Sequence, residues 1–306
     1  MEAEKNIRNI RKSFKEAGIF YTTDELAGQL KEYVDFTPTR IYDPTCGQGN
    51  LLSVFPDEIE KYGQEIFKDE LDKAEARLKN FHGYCGDTLK DDGFKDIQFD
   101  LIVANPPFSI KWEPNESDER FKEAPALPPP SKADYAFMLH ILHHLAPNGK
   151  AICLEFPGIL YRGQREGAIR RWLVDQNYIE RIVHIPGNTF VDTKISTCVV
   201  VLNKTKANTD IIFEDKELNL TRTVAKEEIV QNDYVLSVST YIALPEEKED
   251  IDAIELENTA RLDFLRRLRK ELEFDREICR MEGISIMPFI DKIRSICDEY
   301  EERSTE

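Results

Sequence analysis

Between residues 40 and 203, short strand-forming runs alternate with helix-forming stretches, and this alternation limits the possible folds more than any other feature. Strand signals fall at Arg40–Asp43, Tyr62–Ile66, Phe81–Cys85, Asp100–Ala104, Lys150–Phe156, Ile179–Ile185 and the β-branched run Thr197–Asn203. Helical signals start at Asn50-Leu51-Leu52 and cover residues 68–80, 133–145 and 165–176. Strands joined through helices run parallel and are covered on both faces. The expected fold class is α/β, a doubly wound, mostly parallel sheet with a helical C-terminal tail.

With 306 residues the chain has room for one large domain with an appendage, or for two modest domains. Residues 1–245 read as the domain. Ile7, Ile10 and Phe14 have the spacing of an amphipathic helix over 1–18 that Gly18 ends, and a second helix is expected over Glu25–Tyr33. Ser109–Lys132 is polar, carries Pro128-Pro129-Pro130, and is too long for an ordinary connection, so a mobile lid or binding loop is expected over 109–132. Residues 205–245 read as a small β-rich extension. The tail, 246–306, has 19 acidic and 11 basic residues and is helical. Its Ile286, Phe289, Ile290, Ile293, Ile296, Cys297 and Tyr300 keep a three-to-four spacing, an apolar seam suited to docking a partner.

The net charge of −17 opposes a polyanionic ligand, and the one basic run is Arg261–Lys270. A chain that gripped nucleic acid alone would carry a basic face, so a second chain is expected to do much of any such holding. No apolar run approaches the ~20 residues that span a bilayer, and Met1-Glu2-Ala3-Glu4-Lys5 has no signal-peptide pattern. Neither membrane association nor export is expected. The six cysteines lack a CxxC pair and read as reduced and structural, which favours a cytoplasmic setting. His140, His143 and His144 fall in an expected amphipathic helix, Tyr135–Leu145, without a carboxylate or cysteine at ligand spacing, so no metal site is expected.

Chemistry concentrates at the strand ends, where open parallel sheets bind ligands. The run Phe99–Ala104 leads into Asn105-Pro106-Pro107-Phe108. That turn suits gripping a planar amino group: the Asn105 amide oxygen accepts one hydrogen, and the Pro106 carbonyl, on a stiffened backbone, accepts the other. Phe108 offers a face on which a base stacks, and a nitrogen so held can be aimed at a methyl donor. After the first strand comes Asp43-Pro44-Thr45-Cys46-Gly47-Gln48-Gly49-Asn50, where Gly47 and Gly49 let backbone approach a ligand and Asp43 binds an ammonium or a turn amide. Glu65 ends the second strand at the spacing of a ribose-binding acid. Asp87 ends the third and can accept from an adenine amino group. Each is also what a turn cap looks like; their order along four strand ends is the informative part.

On these residues the chain resembles the amino-methylating, S-adenosylmethionine-dependent DNA methyltransferases, and more closely the modification (M) subunits of type I restriction–modification systems. The resemblance covers about residues 12–245. It runs through Phe20-Tyr21-Thr22-Thr23, Asp43–Leu52, Glu65, Gly86-Asp87 and Asn105–Phe108. It continues through Ser131–Phe137, Gly158–Gly163, Glu166–Arg170, Pro186–Phe190 and Thr197–Lys204. It implies a Rossmann-like methyltransferase fold and S-adenosyl-L-methionine as cofactor. Phe20, Tyr21, Thr22, Thr23, Asp43, Pro44, Thr45, Cys46, Gly47, Gly49, Asn50, Glu65, Ile66, Asp87, Thr88 and Asn105 would hold it. It implies that Asn105, Pro106, Pro107 and Phe108 act on an adenine flipped out of double-stranded DNA, methylated at N6. Lys111, Trp112, Arg120 and Lys132 of the 109–132 loop are the expected DNA contacts.

The cofactor motif begins near residue 20, so the family's large helical N-terminal domain is expected to be almost absent, and no target-recognition region is recognisable. The expected partners are therefore a specificity (S) subunit, bound through the C-terminal helices, and a second M subunit. Alternative readings are a self-sufficient DNA adenine methyltransferase, methylation of an RNA base or protein amide, and a non-catalytic cofactor-binding scaffold.

Overall fold

The structure, a computed structural model, describes residues 22–187, 196–243 and 253–303. The expected helix over 1–18, together with Phe20, Tyr21 and Asn188-Thr189-Phe190, lies outside the described residues. Residues 1–244 and 245–306 are two compact units.

Among the described residues of the first unit, nine strands form one sheet in the order β3-β2-β1-β4-β5-β7-β6-β8-β9. They are β1 Arg40–Asp43, β2 Glu60–Glu65, β3 Phe81–Cys85, β4 Phe99–Ala104, β5 Leu145–Glu155, β6 Ile179–Ile185, β7 Thr197–Asn203, β8 Ile211–Asp215 and β9 Leu220–Val224. The helices are α1 Asp24–Lys31, α2 Asn50–Ser53, α3 Lys68–Arg77, α4 Asp134–His144, α5 Gln164–Asp175, α6 Lys226–Gln231 and α7 Val238–Tyr241. From β3 to β5 all neighbours are parallel; β7 runs against both β5 and β6. The chain leaves β1 toward β2 and β3 and then returns to its other side as β4. The carboxyl ends of β1 and β4 therefore flank the switch in strand order, where a crevice opens. Within the stretch 205–245, β8 pairs with β6, and β9 with β8, as the far edge of the same sheet.

The inner strands are apolar at successive positions because both faces are covered. Tyr42, Ile102, Ala104 and Cys153 join one buried cluster with α4. Ile41, Leu101, Val103, Ile152 and Leu154 join the other, with Leu26, Leu30, Leu51, Leu71 and Ala74 from α1, α2 and α3. Each fully buried Leu or Ile contributes on the order of 2 kcal/mol. The expected amphipathic helix is corrected here: α4 is buried from Asp134 to Leu142, and His143 is its one exposed residue. Its apolar composition suits a helix enclosed on all sides.

The second unit holds α8 Ala253–Glu282 and α9 Met287–Arg303, separated by a turn in which Gly283 adopts φ +71°. Leu265, Leu268 and Leu272 line a groove with Ile286 and Ile290 of the expected seam. Phe289 and Ile296, also of that seam, are exposed, as are Leu262, Phe264, Phe274 and Met281.

Candidate active site

The crevice holds a cavity of about 180 Å³. From the expected cofactor set, Thr22, Asp43, Pro44, Thr45, Cys46, Gly47, Asn50, Glu65, Ile66, Asp87, Thr88 and Asn105 line it. Two expected members do not. Thr23 caps α1, its hydroxyl accepting from the Leu26 amide, and Gly49 is the left-handed link into α2, where a Cβ would meet the Leu78 side chain at 2.6 Å. Leu51, Phe67, Glu70, Ile110 and Phe137 line the cavity without having been expected there. Of these, Phe67 had a local signal, an aromatic two residues after the acid that ends β2.

Glu65 organises the crevice. One of its oxygens accepts from the Gly47 amide at 2.9 Å and the other from the Phe67 amide at 3.0 Å. Burial raises its carboxyl, and these amides pull the other way. Asp43 is 1% exposed and accepts from the Thr45 amide at 3.0 Å. Burial pushes its carboxyl up to about 8. Asp87 caps its own turn through the Leu89 amide, and the Thr88 hydroxyl donates to the Pro44 carbonyl, joining the ends of β1 and β3. The site thus has carboxylates on three strand ends and a backbone turn between them.

Asn105 follows β4, and its amide nitrogen donates to the Thr22 hydroxyl at 3.0 Å. Asn105 and Pro107 line the cavity; Pro106 is buried and Phe108 half-buried. Immediately after the turn Ser109 takes φ +53°, a left-handed conformation that costs a non-glycine residue about 1–3 kcal/mol.

Within the expected loop 109–132, two side chains are anchored to the rest of the unit. Trp112 is 8% exposed, packs edge-on to Phe121 and donates from Nε1 to the Pro129 carbonyl. The Arg120 guanidinium, 5% exposed, bonds Asp118, the carbonyls of Thr88 and Leu89, and Nδ1 of His140. Trp112 and Arg120 are therefore corrected from DNA contacts to internal fastenings; Lys111 is exposed and Lys132 half-buried. The histidine expectation also changes. Asp92 reaches His144 Nε2 at 2.9 Å, and Asp92, His140 and His144 bring ligand atoms within 4.8 Å of one another. Arg120 stands at 4.0 Å from Asp92, so a guanidinium already supplies the positive charge there. Burial works to raise the Asp92 carboxyl, but the hydrogen bond and charge of His144 hold it at about 2. A larger cavity of about 390 Å³ borders this network, lined by Lys95, Glu119, Glu123, His143 and Lys204 among others, and contains none of the strand-end groups.

Comparison with known proteins places the chain that carries this crevice and turn in a family. The profile of the N-6 DNA Methylase family matches residues 6–222, and the chain belongs to that family. The methylase subunit of the type I restriction enzyme MpnII from Mycoplasma pneumoniae is 31% identical over 304 residues, covering 78% of this chain and 55% of the relative. The MjaIX methylase subunit from Methanocaldococcus jannaschii is 28% identical over 266 residues, covering 78% of this chain and 47% of the relative. The chain thus spans about half the length of these curated relatives. Among solved structures, the methyltransferase subunit of a type I restriction–modification system from Streptococcus thermophilus superposes with a TM-score of 0.67. It is 29% identical and covers 73% of this chain and 59% of that one. Among the described residues, no helix is long and apolar enough to cross a membrane.

Proposed function

We propose that this chain is the catalytic modification subunit of a type I-like restriction–modification system, methylating the N6 amino group of a flipped adenine in double-stranded DNA. The observation that carries this reading is that Asn105 lines the same cavity as Asp43, Glu65 and Asp87, so an amino-group acceptor stands beside a nucleoside-sized crevice.

The residues present fit S-adenosyl-L-methionine. Glu65 has the acceptor capacity for a ribose diol, Asp87 for an adenine amino group, and Asp43 is a buried carboxyl that a cationic ligand would ionise. The cofactor, when bound, supplies a methyl group already activated on a sulfonium, so the protein's work is positioning and desolvation. The Asn105 oxygen and Pro106 carbonyl accept from the adenine amino group and aim its lone pair, while Phe108 stacks on the base. The Thr22 hydroxyl accepts from the Asn105 amide nitrogen and ties that side chain to the crevice wall. Extrusion of the adenine is required because its N6 lies within the duplex stack.

The acidic charge, the long 109–132 segment and the exposed apolar residues of α8 and α9 support a model of divided labour, in which a specificity subunit supplies sequence recognition and a second copy of this chain completes the assembly. Lys111 and Lys132 are the DNA contacts of the loop. The test is transfer of labelled methyl groups to DNA by the purified full chain, alone and with a specificity subunit. Site-specific adenine methylation only in the pair supports the reading. Efficient site-specific activity alone makes the chain self-sufficient, and labelling of RNA or protein instead overturns the substrate. Removal of residues 284–306 is expected to abolish the pair while cofactor binding persists.

A further inference from the structure

The turn Asn105–Phe108 is followed by a clamp that the chemistry above does not use. Ser109, at φ +53°, donates its amide to Asp134 Oδ1 at 3.0 Å. Its hydroxyl accepts from Arg162 Nη2 at 3.1 Å. The same guanidinium reaches Asp134 Oδ2 at 3.5 Å and Glu166 Oε1 at 3.2 Å through Nη1. The Asp134 side chain is fully buried, that of Glu166 nearly so, and that of Arg162 partly. One residue further on, the Ile110 carbonyl accepts from the Ala133 amide at 2.8 Å, so the exit from the turn is pinned to the head of α4 twice. Space for the guanidinium comes from Gly158, where a Cβ would stand 2.5–2.6 Å from its atoms. Beside the clamp Glu155 is buried without a hydrogen-bond partner for either oxygen, and burial pushes its carboxyl well above the ordinary range.

We infer that Asp134 and Arg162 are positioning residues for methyl transfer: they hold Ser109 in its left-handed conformation and thereby set where the Pro106 carbonyl and the Phe108 ring stand. The inference rests on the methyltransferase reading. Asp134, 25 positions away, takes the Ser109 amide and Arg162, 53 positions away, its hydroxyl, and the conformation they hold is one that serine adopts uncommonly. A left-handed residue released from its bonds relaxes by rotating φ, which swings the preceding peptide, and with it the ring of Phe108. An arginine is needed because one planar fork must reach a hydroxyl and two carboxylates at once.

The test uses the full chain under conditions where the wild type methylates DNA. Arg162→Lys, Asp134→Asn and Gly158→Ala are expected to lower kcat by at least about tenfold while cofactor affinity stays within about twofold, since misplacement by an ångström is enough to cost that much. The discriminating variant is Asp134→Ala combined with Ser109→Gly. Glycine takes the left-handed conformation freely, so the double variant should be faster than Asp134→Ala alone, whereas a purely structural role predicts additive losses. Amide exchange at Ser109 is read in parallel and needs no activity. Faster exchange in Asp134→Ala supports the clamp, and unchanged exchange overturns it. Wild-type kcat in all three single variants, or a double variant no faster than Asp134→Ala, overturns the positioning role. A wild-type chain that methylates no adenine, with Ser109 still protected through Asp134, counts against the methyltransferase reading and leaves the clamp as a feature of the fold alone.

Discussion

The carboxylate of Glu65 accepts the amide hydrogen of Gly47 at 2.9 Å, so the acid that ends β2 also shapes the turn that follows β1. Its loss therefore removes a ligand contact and loosens the wall opposite. Glu65→Ala should weaken S-adenosylmethionine binding by roughly 2–4 kcal/mol, the cost of two charge-assisted hydrogen bonds. Calorimetry that finds an unchanged affinity refutes the assignment of Glu65 to the ribose.

If Asp43 meets the cofactor as proposed, binding should depend on pH. Its carboxyl, near 3.8 when exposed, is pushed by burial to about 8, so the apo protein holds a proton there at neutral pH. A bound cation favours the ionised form and expels that proton. Affinity should therefore rise with pH, by up to about tenfold per unit, and flatten above 8. Titrations in buffers of different ionisation enthalpy should register proton release. The same group stabilises the apo fold fully below its ordinary value, and this contribution is lost as pH rises through about 8. Asp43→Asn should flatten both curves; a pH slope that survives it assigns the proton elsewhere.

Asn105→Ala should leave cofactor binding and folding nearly intact and abolish methyl transfer, because the substrate amino group loses one of its two acceptors. Phe108→Ala should slow transfer by the ~1–3 kcal/mol of a lost base–aromatic stack, while Phe108→Tyr is tolerated. Single-turnover kinetics on an unmethylated duplex separates the two, and retained turnover in Asn105→Ala would show that another group grips the amine.

Arg120 is expected to matter for stability rather than for DNA. Replacing it by Met leaves Asp118 and the carbonyls of Thr88 and Leu89 without their donor and should cost about 3–5 kcal/mol in denaturant unfolding. The slope of DNA affinity against salt should stay put in that variant and fall by about one in Lys111→Ala. A salt slope that moves with Arg120 instead would return it to the DNA surface.

The sheet and its reactive edge were legible because their signals are local. Apolar runs such as Leu101–Ala104 are followed at once by Asn, Gly, Asp or Glu, and strand-end chemistry then follows from position. What could not be read was set by partners distant in the chain. Asp92 meets His144 across 52 positions, Arg120 meets Thr88 across 32, and Asn105 meets Thr22 across 83. A helix bearing three histidines looks amphipathic in isolation, and the partners Tyr42 and Arg120 on His140, and Ile97 and Asp92 on His144, explain how two of those rings are buried. Likewise the loop's arginine and tryptophan had the composition of a nucleic-acid contact and the placement of a core.

Because β7 runs against its neighbours, the end of β6 at Ile185 and the start of β7 at Thr197 both stand at the edge of the sheet that carries Asn105. The connection between them has both its feet on the reacting side. Ile185 and Thr197 are themselves a register pair, so the chain leaves the sheet and re-enters it at one level.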